Sequence, residues 1–214
     1  MANIRQQVSI GIAALVWLVL ALLTGQNLSP TPLKIYSIAG TAATIVFLFW
    51  DRFIWRWKAV RFFTGVPLVH GTWRGELISS YIRPDGTAVA PIPTILFVSQ
   101  TASNVTVTLF TGESKSVSEN AKLACDPDGR WRLTWQYVNN PRPAVRGRSE
   151  RHHGAAETYL GTQAGEGLEG EYFTDRKTDG ELIFKEWSPK RYGNAESGLA
   201  GTDFKDAQPF ARES

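Results

Sequence analysis

Residues 131–138 read WRLTWQYV, and residues 168–176 read LEGEYFTDR. In the first stretch Trp131, Leu133, Trp135 and Tyr137 fall on one side of a strict alternation, opposite Arg130, Arg132, Thr134 and Gln136. In the second, Leu168, Gly170, Tyr172, Thr174 and Arg176 share a side opposite Glu169, Glu171, Phe173 and Asp175. Successive side chains of a strand point to opposite faces, so a period of two with one apolar face marks a half-buried strand. The same alternation places Trp73, Gly75, Leu77, Ser79 and Tyr81 together near residue 70.

Reading outward from these stretches, strands are expected over 72–82, 94–100, 104–110, 114–118, 122–125, 131–138, 149–160, 168–174 and 181–187. Between them lie turn signals such as Pro84-Asp85-Gly86, Asp126-Pro127-Asp128-Gly129 and Thr178-Asp179-Gly180. Short strands at regular spacing, almost without helical period, define an antiparallel all-β domain. About eight strands in about 120 residues fit a small, lipocalin-like up-and-down barrel, which removes its edges by closing and is either filled by side chains or holds one small ligand.

Before residue 70 the pattern is different. Residues 8–24 (VSIGIAALVWLVLALLT) and 35–50 (IYSIAGTAATIVFLFW) carry no charge. A membrane span needs roughly 20 apolar residues, within about 17 to 25, so with their flanks both read as spans of a helical hairpin. A cleaved signal peptide is the rival for the first, but the run is long for one and no small-residue cleavage site follows it. Trp50, Trp55 and Trp57 cluster where an interfacial aromatic belt belongs. Residues 51–61 hold four cations against one in the connection 25–34. The positive-inside rule therefore puts both termini in the cytoplasm, and the expected location is the bacterial inner membrane with two passes. The expected organisation is a two-span anchor with a basic juxtamembrane segment over 1–64, a cytoplasmic barrel over 65–188, and a polar tail over 189–214.

Charge follows the same division. The formal net charge of +3 is +5 over residues 1–70 and −2 over the remaining 144. The barrel is thus slightly acidic, which excludes duplex nucleic acid as a partner held by general phosphate neutralisation. Cys125 is the only cysteine; it can form no internal disulfide and no multi-cysteine zinc site.

Residues 165–170, GEGLEG, match the dinucleotide-binding G-x-G-x-x-G. That fingerprint needs a helix after it to receive the pyrophosphate. Here a strand follows, and Glu166 and Glu169 would repel phosphate, so the match reads as a turn. His152 and His153 point to opposite faces of one strand and do not form a metal pair. No nucleophile–base arrangement, Walker loop or HExxH stands in the chain, so neither an enzyme nor a resident cofactor is expected. The strongest constellation is aromatic plus arginine: rings stack on nucleobases for roughly 1–3 kcal/mol each, and arginine bonds phosphate bidentately.

The order of these parts, together with a Gly-x-Trp-x-Gly strand (Gly71, Trp73, Gly75) and the late strand Leu168, Gly170, Tyr172, Thr174, Arg176, resembles the two-transmembrane β-strand-rich effectors of bacterial CBASS antiphage defence. The resemblance spans residues 8 to about 187. It implies a non-enzymatic receptor for a cyclic dinucleotide made by a cognate nucleotidyltransferase, which oligomerises on binding and disrupts the inner membrane. It places ligand contact at Tyr81, Thr174 and Arg176, with Trp73, Trp135, Tyr137 and Tyr172 as stacking candidates. The alternatives are a membrane-tethered binder of an apolar molecule, which needs an interior apolar throughout and Arg176 facing solvent, and a scaffold with a filled barrel.

Overall fold

The computed structural model describes Gly11, Leu15 and Val19, residues 32–208 and residue 210. It divides into a helical unit, residues 1–66 with 101–103, and a β unit made of the rest.

In the helical unit, α1 (Pro32–Arg52) contains the whole of the second predicted span. A 3-10 turn (Ile54–Arg56) and a short helix α2 (Lys58–Thr64) follow, separated by Trp57 in extended conformation. Gly65, at φ 63°, ends α2 in the left-handed conformation that suits glycine. Among the described residues no helix is long and apolar enough to cross a membrane, so the expected transmembrane hairpin finds no support there. The first predicted span, apart from Gly11, Leu15 and Val19, lies outside the described residues.

In the β unit, β1 (Gly71–Ser79), β2 (Ile92–Gln100), β3 (Val105–Thr111), β4 (Ser114–Cys125), β5 (Trp131–Pro141), β6 (His152–Leu160), β7 (Leu168–Thr174) and β8 (Asp179–Ser188) each pair antiparallel with the next. β1 also pairs with β8, from Thr72↔Ser188 to Ser79↔Gly180, and closes the barrel. The alternation expected for β5 and β7 holds: Leu133, Trp135 and Tyr137 are buried, as are Leu168 and Tyr172, while Gln136, Glu171 and Phe173 are exposed.

The two strands expected at 114–118 and 122–125 are one strand, β4. Its register against β5 shifts between Ser118 and Asn120. One extra residue in a bulge reverses the parity of everything after it. Buried Ser116 and buried Leu123 therefore stand on opposite parities in the sequence, and the change of parity looks like a break when read linearly. Where β3–β4 pairing ends, the Ser118 hydroxyl accepts a hydrogen bond from the Val107 N–H at 2.9 Å.

The tail beyond β8, left without a role by the sequence, packs on the outside of the barrel. Asn194 caps a short helix, α3 (Ala195–Leu199), by accepting from the Ser197 N–H. Ala195 and Leu199 cover the outward side chains Ile95 and Phe110, which explains why β2 is buried on both faces from Thr94 to Val98. Arg74 clasps Glu186 with two hydrogen bonds, at 2.6 and 2.9 Å, and donates to the carbonyls of Leu199 and Gly201. Asp203 accepts from the hydroxyls of Ser188 and Tyr192, which hold its carboxyl down to about 2. A two-residue strand, β9 (Lys205–Asp206), then pairs with the end of β8.

Candidate ligand site at the barrel mouth

Up-and-down topology sends alternate connections to opposite ends. The β2–β3, β4–β5 and β6–β7 connections mark one end, and β1–β2, β3–β4, β5–β6 and β7–β8 mark the other.

The first end is closed by apolar packing. Trp73, Leu96, Val98, Val107, Leu168, Leu182 and Phe184 are essentially inaccessible. The Trp73 indole donates to the Val69 carbonyl at 3.0 Å and packs near Trp187 and Phe210. Buried Gln100 accepts from the Val69 N–H and donates to the Pro67 carbonyl. Residues 161–167 form the turn expected for GEGLEG: Gly165 and Gly167 adopt positive φ, and the Glu166 carboxylate accepts from the Thr162 and Gln163 N–H groups. That carboxylate takes up two N–H groups of the turn and sets a negative charge there, which would repel a phosphate.

Toward the second end the interior becomes polar. β6 turns His152, Gly154, Ala156 and Thr158 inward, three of them small. Its neighbours turn in Trp135, Tyr137 and Asn139 from β5 and Tyr172 and Thr174 from β7. Pairing sets Trp135, Ala156 and Tyr172 in one row and Tyr137, Gly154 and Thr174 in the next. The result is a run of small residues flanked by aromatic walls, with the Tyr137 ring packed over Gly154.

Two glycines allow those walls to stand. A Cβ on Gly154 would lie 2.5 Å from Tyr137 Cζ, and one on Gly180 would lie 2.8 Å from Tyr172 Cε1. The Tyr172 hydroxyl is hydrogen-bonded to the Ser79 side chain, whereas the Tyr137 hydroxyl has no hydrogen-bond partner among the described residues. Burial pushes both phenols above their ordinary value, so they are neutral donors at physiological pH. Below them the Thr158 hydroxyl is fully buried with no hydrogen-bond partner among the described residues. An unsatisfied buried hydroxyl costs roughly 1–3 kcal/mol, so this position is one of polar cost inside the barrel.

His152, buried at the top, interacts with Asn139 and with the Glu150 carbonyl at 3.0 Å. Burial pushes its imidazole below the ordinary value. His153 points outward beside Asp175, with 65% of its side chain exposed, as two adjacent strand residues must.

The rim carries a signal that the averaged charge concealed. The β5–β6 connection, residues 142–151, holds Arg142, Arg146, Arg148 and Arg151 against Glu150 alone. Arg148 pairs with Glu113 of the β3–β4 turn at 2.5 Å, and Arg176 of the β7–β8 turn reaches Ser149 Oγ at 3.4 Å. Arg142, Arg146, Arg151 and Arg176 have no ion-pair partner among the described residues. The closed-end connections hold instead Asp126, Asp128 and Glu166 against Arg130. A domain of net charge −2 thus presents one cationic end, and four arginines within ten residues mark it in the sequence.

Of the seven residues singled out above, Tyr137 and Thr174 share a row at the polar end, and Trp135 and Tyr172 share the row one step deeper. Thr174 shares a 2.7 Å hydrogen bond with Thr178 within its hairpin. Arg176 sits exposed on the rim turn, and Tyr81 lies half exposed on the β1–β2 connection. Trp73 belongs to the opposite, packed end. A separate groove of about 430 Å³ opens on the outer face between β4 and β7, lined by Lys122, Thr134, Gln136, Glu157, Glu171 and Phe173. Its two carboxylates make it a poor place for a phosphate.

Fold and site define a class: a closed antiparallel barrel packed at one end and presenting aromatic and hydroxyl groups under a cationic rim at the other. Residues 64–186 match the family described as "Cap15, cyclic dinucleotide receptor domain". The chain belongs to that family, and with it to the effectors of CBASS defence. It is also similar to CD-NTase-associated protein 15 of Staphylococcus schleiferi, with 25% identity over 153 residues, 72% of this chain and 79% of the relative.

Proposed function

We propose that the chain is a non-enzymatic, membrane-anchored receptor whose barrel mouth binds a cyclic dinucleotide supplied by a cognate nucleotidyltransferase. The observation that carries this reading is the polar end of the interior: Trp135, Tyr137 and Tyr172 beside Gly154, Ala156 and Thr158, with a hydroxyl that has no partner among the described residues and arginines at the rim. Bases stack on aromatic faces, and the two phosphodiesters of such a ligand complement guanidinium groups. Membership of a cyclic dinucleotide receptor family and likeness to a CD-NTase-associated protein support the same ligand class. The apolar-ligand alternative is disfavoured by Asn139, His152 and Ser116, all buried toward the mouth.

Signalling follows by linkage. A ligand that binds the oligomer-competent state more tightly shifts the population toward assembly. The uncharged stretches 8–24 and 35–50 anchor the chain in the inner membrane, and Ala39, Gly40, Ala42 and Ala43 allow helices to approach closely. Disruption of the membrane is the output of that assembly.

The test is a titration of the purified full chain in detergent with a panel of cyclic dinucleotides, following heat stability and oligomer size. A ligand at a hundredfold its Kd adds about 2.7 kcal/mol, a rise of roughly 5–10 °C in Tm for a domain of this size. If a folded barrel is stabilised by no member of the panel, the receptor reading fails. Stabilisation without a change of oligomer size retains the receptor and removes the assembly step.

A further inference from the structure

The short helix α2 faces solvent with its apolar side. Lys58 and Phe62, and Ala59 and Phe63, are i, i+4 pairs and so lie on one face. All four are exposed, Phe62 to 71% and Phe63 to 83%. Ordinarily a helix of a folded domain turns such a stripe inward. Phe53 and Trp57, just before it, are exposed as well, by 56% and 62%. The two phenylalanine rings of α2 pack edge to face at 5.6 Å, which presents them together.

Cations are interleaved with these rings. Arg52, Arg56, Lys58 and Arg61 fall within ten residues, and Arg52 and Lys58 are exposed. Asp51, the single acid of the segment, is engaged within the same unit: its carboxylate accepts from the Ser103 N–H at 2.8 Å and its carbonyl from the Ala102 N–H at 3.0 Å. Trp57, in extended conformation, breaks the helical path and separates α2 from α1.

We propose that residues 52–63 form a binding surface for anionic phospholipid, with Phe53, Trp57, Phe62 and Phe63 seated among the headgroups and Arg52 and Lys58 paired with lipid charge. An apolar protein partner would account for the rings but not for interleaved cations. A bilayer interface with anionic headgroups accounts for both, since aromatic side chains settle at headgroup depth and each nearby cation is drawn to the surface potential. The inference adds a lipid ligand to the membrane-anchor reading and stands on different residues.

The experiment uses the full chain with Cys125→Ser, which removes an exposed thiol, and Ala59→Cys, labelled with a fluorophore that brominated lipids quench. It is mixed with vesicles of phosphatidylcholine alone or with added phosphatidylglycerol, and both flotation and quenching are followed. Expected is quenching that depends on phosphatidylglycerol, falls in high salt, and weakens about fivefold for each of Arg52→Gln and Lys58→Gln. Flotation with neutral vesicles and an unquenched probe in both mixtures would keep the anchor and overturn the lipid surface. Equal quenching in both mixtures would overturn its anionic selectivity. Flotation with anionic vesicles alone, with the probe quenched, would keep this surface and sink the anchor.

Discussion

The helical unit and the barrel treat apolar side chains in opposite ways. In the barrel Trp73, Leu96, Leu133 and Phe184 are at or below 2% exposure, whereas in the helical unit Ile38, Leu48, Phe62 and Phe63 are between 58% and 83% exposed. The same kinds of residue are therefore core in one region and surface in the other. A barrel satisfies its hydrophobic face by closing on itself. The helical unit leaves its own face uncovered, and a large exposed apolar surface of this kind marks contact with something outside the described chain.

The contrast is open to measurement, and the largest effect should come from the barrel's packed end. Trp73→Ala removes a buried ring and its hydrogen bond to Val69, and should cost about 3–5 kcal/mol in urea unfolding of the barrel. A cost below about 1 kcal/mol would mean that this end is not the packed core. Arg74→Met comes next: it breaks the clasp on Glu186, Leu199 and Gly201, and should cost about 2 kcal/mol. Limited proteolysis should then release the tail from the barrel well before the strands are cut.

At the mouth the effect moves from stability to binding. Arg142→Gln with Arg151→Gln should leave the barrel within about 0.5 kcal/mol of its original stability and reduce the affinity for a cyclic dinucleotide about tenfold. The salt dependence of binding should also become shallower. An unchanged affinity would remove the rim from the site.

The pH dependence is smaller again. His152 has a lowered pKa through burial, so above its unfolded value, about 6.5, both states are neutral and stability is flat. As pH falls below that value the unfolded chain takes up the proton more readily, and stability declines. His152→Gln should flatten this part of a Tm-against-pH curve; a decline of equal slope in the variant would assign it to other groups. The smallest effect belongs to the helical unit: Phe63→Ser should change barrel stability by less than about 0.5 kcal/mol while lowering the tendency to aggregate without detergent.

Much of the barrel was legible because period-two alternation is local. WRLTWQYV and LEGEYFTDR state their faces directly, and the glycine-rich run 165–170 shows itself a turn through the strand after it. The bulge in β4 was not legible, because one unpaired residue reverses the parity of every position beyond it. Nor was the tail: Ala195 and Leu199 look like parts of a polar segment until Ile95 and Phe110 are seen beneath them. In the site, Tyr137, Tyr172 and Thr174 could be found by alternation, but the cationic rim was lost in averaging over the whole domain.

By itself the sequence determined that strands form after residue 70, which side chains share a face, and that the cations of the first 70 residues are a separate population. Those properties depend on neighbours one to four residues apart. Tertiary structure decided which end of the barrel each face reaches. Strand direction in the up-and-down order puts Trp73 at the packed end and Tyr172 near the mouth, and closure of β1 on β8 buries both faces, although alternation alone places both inward. Pairing of β6 with β5 and with β7 sets Trp135 and Tyr172 on either side of Ala156 and brings Arg176 to Ser149, contacts made by residues far apart in the chain.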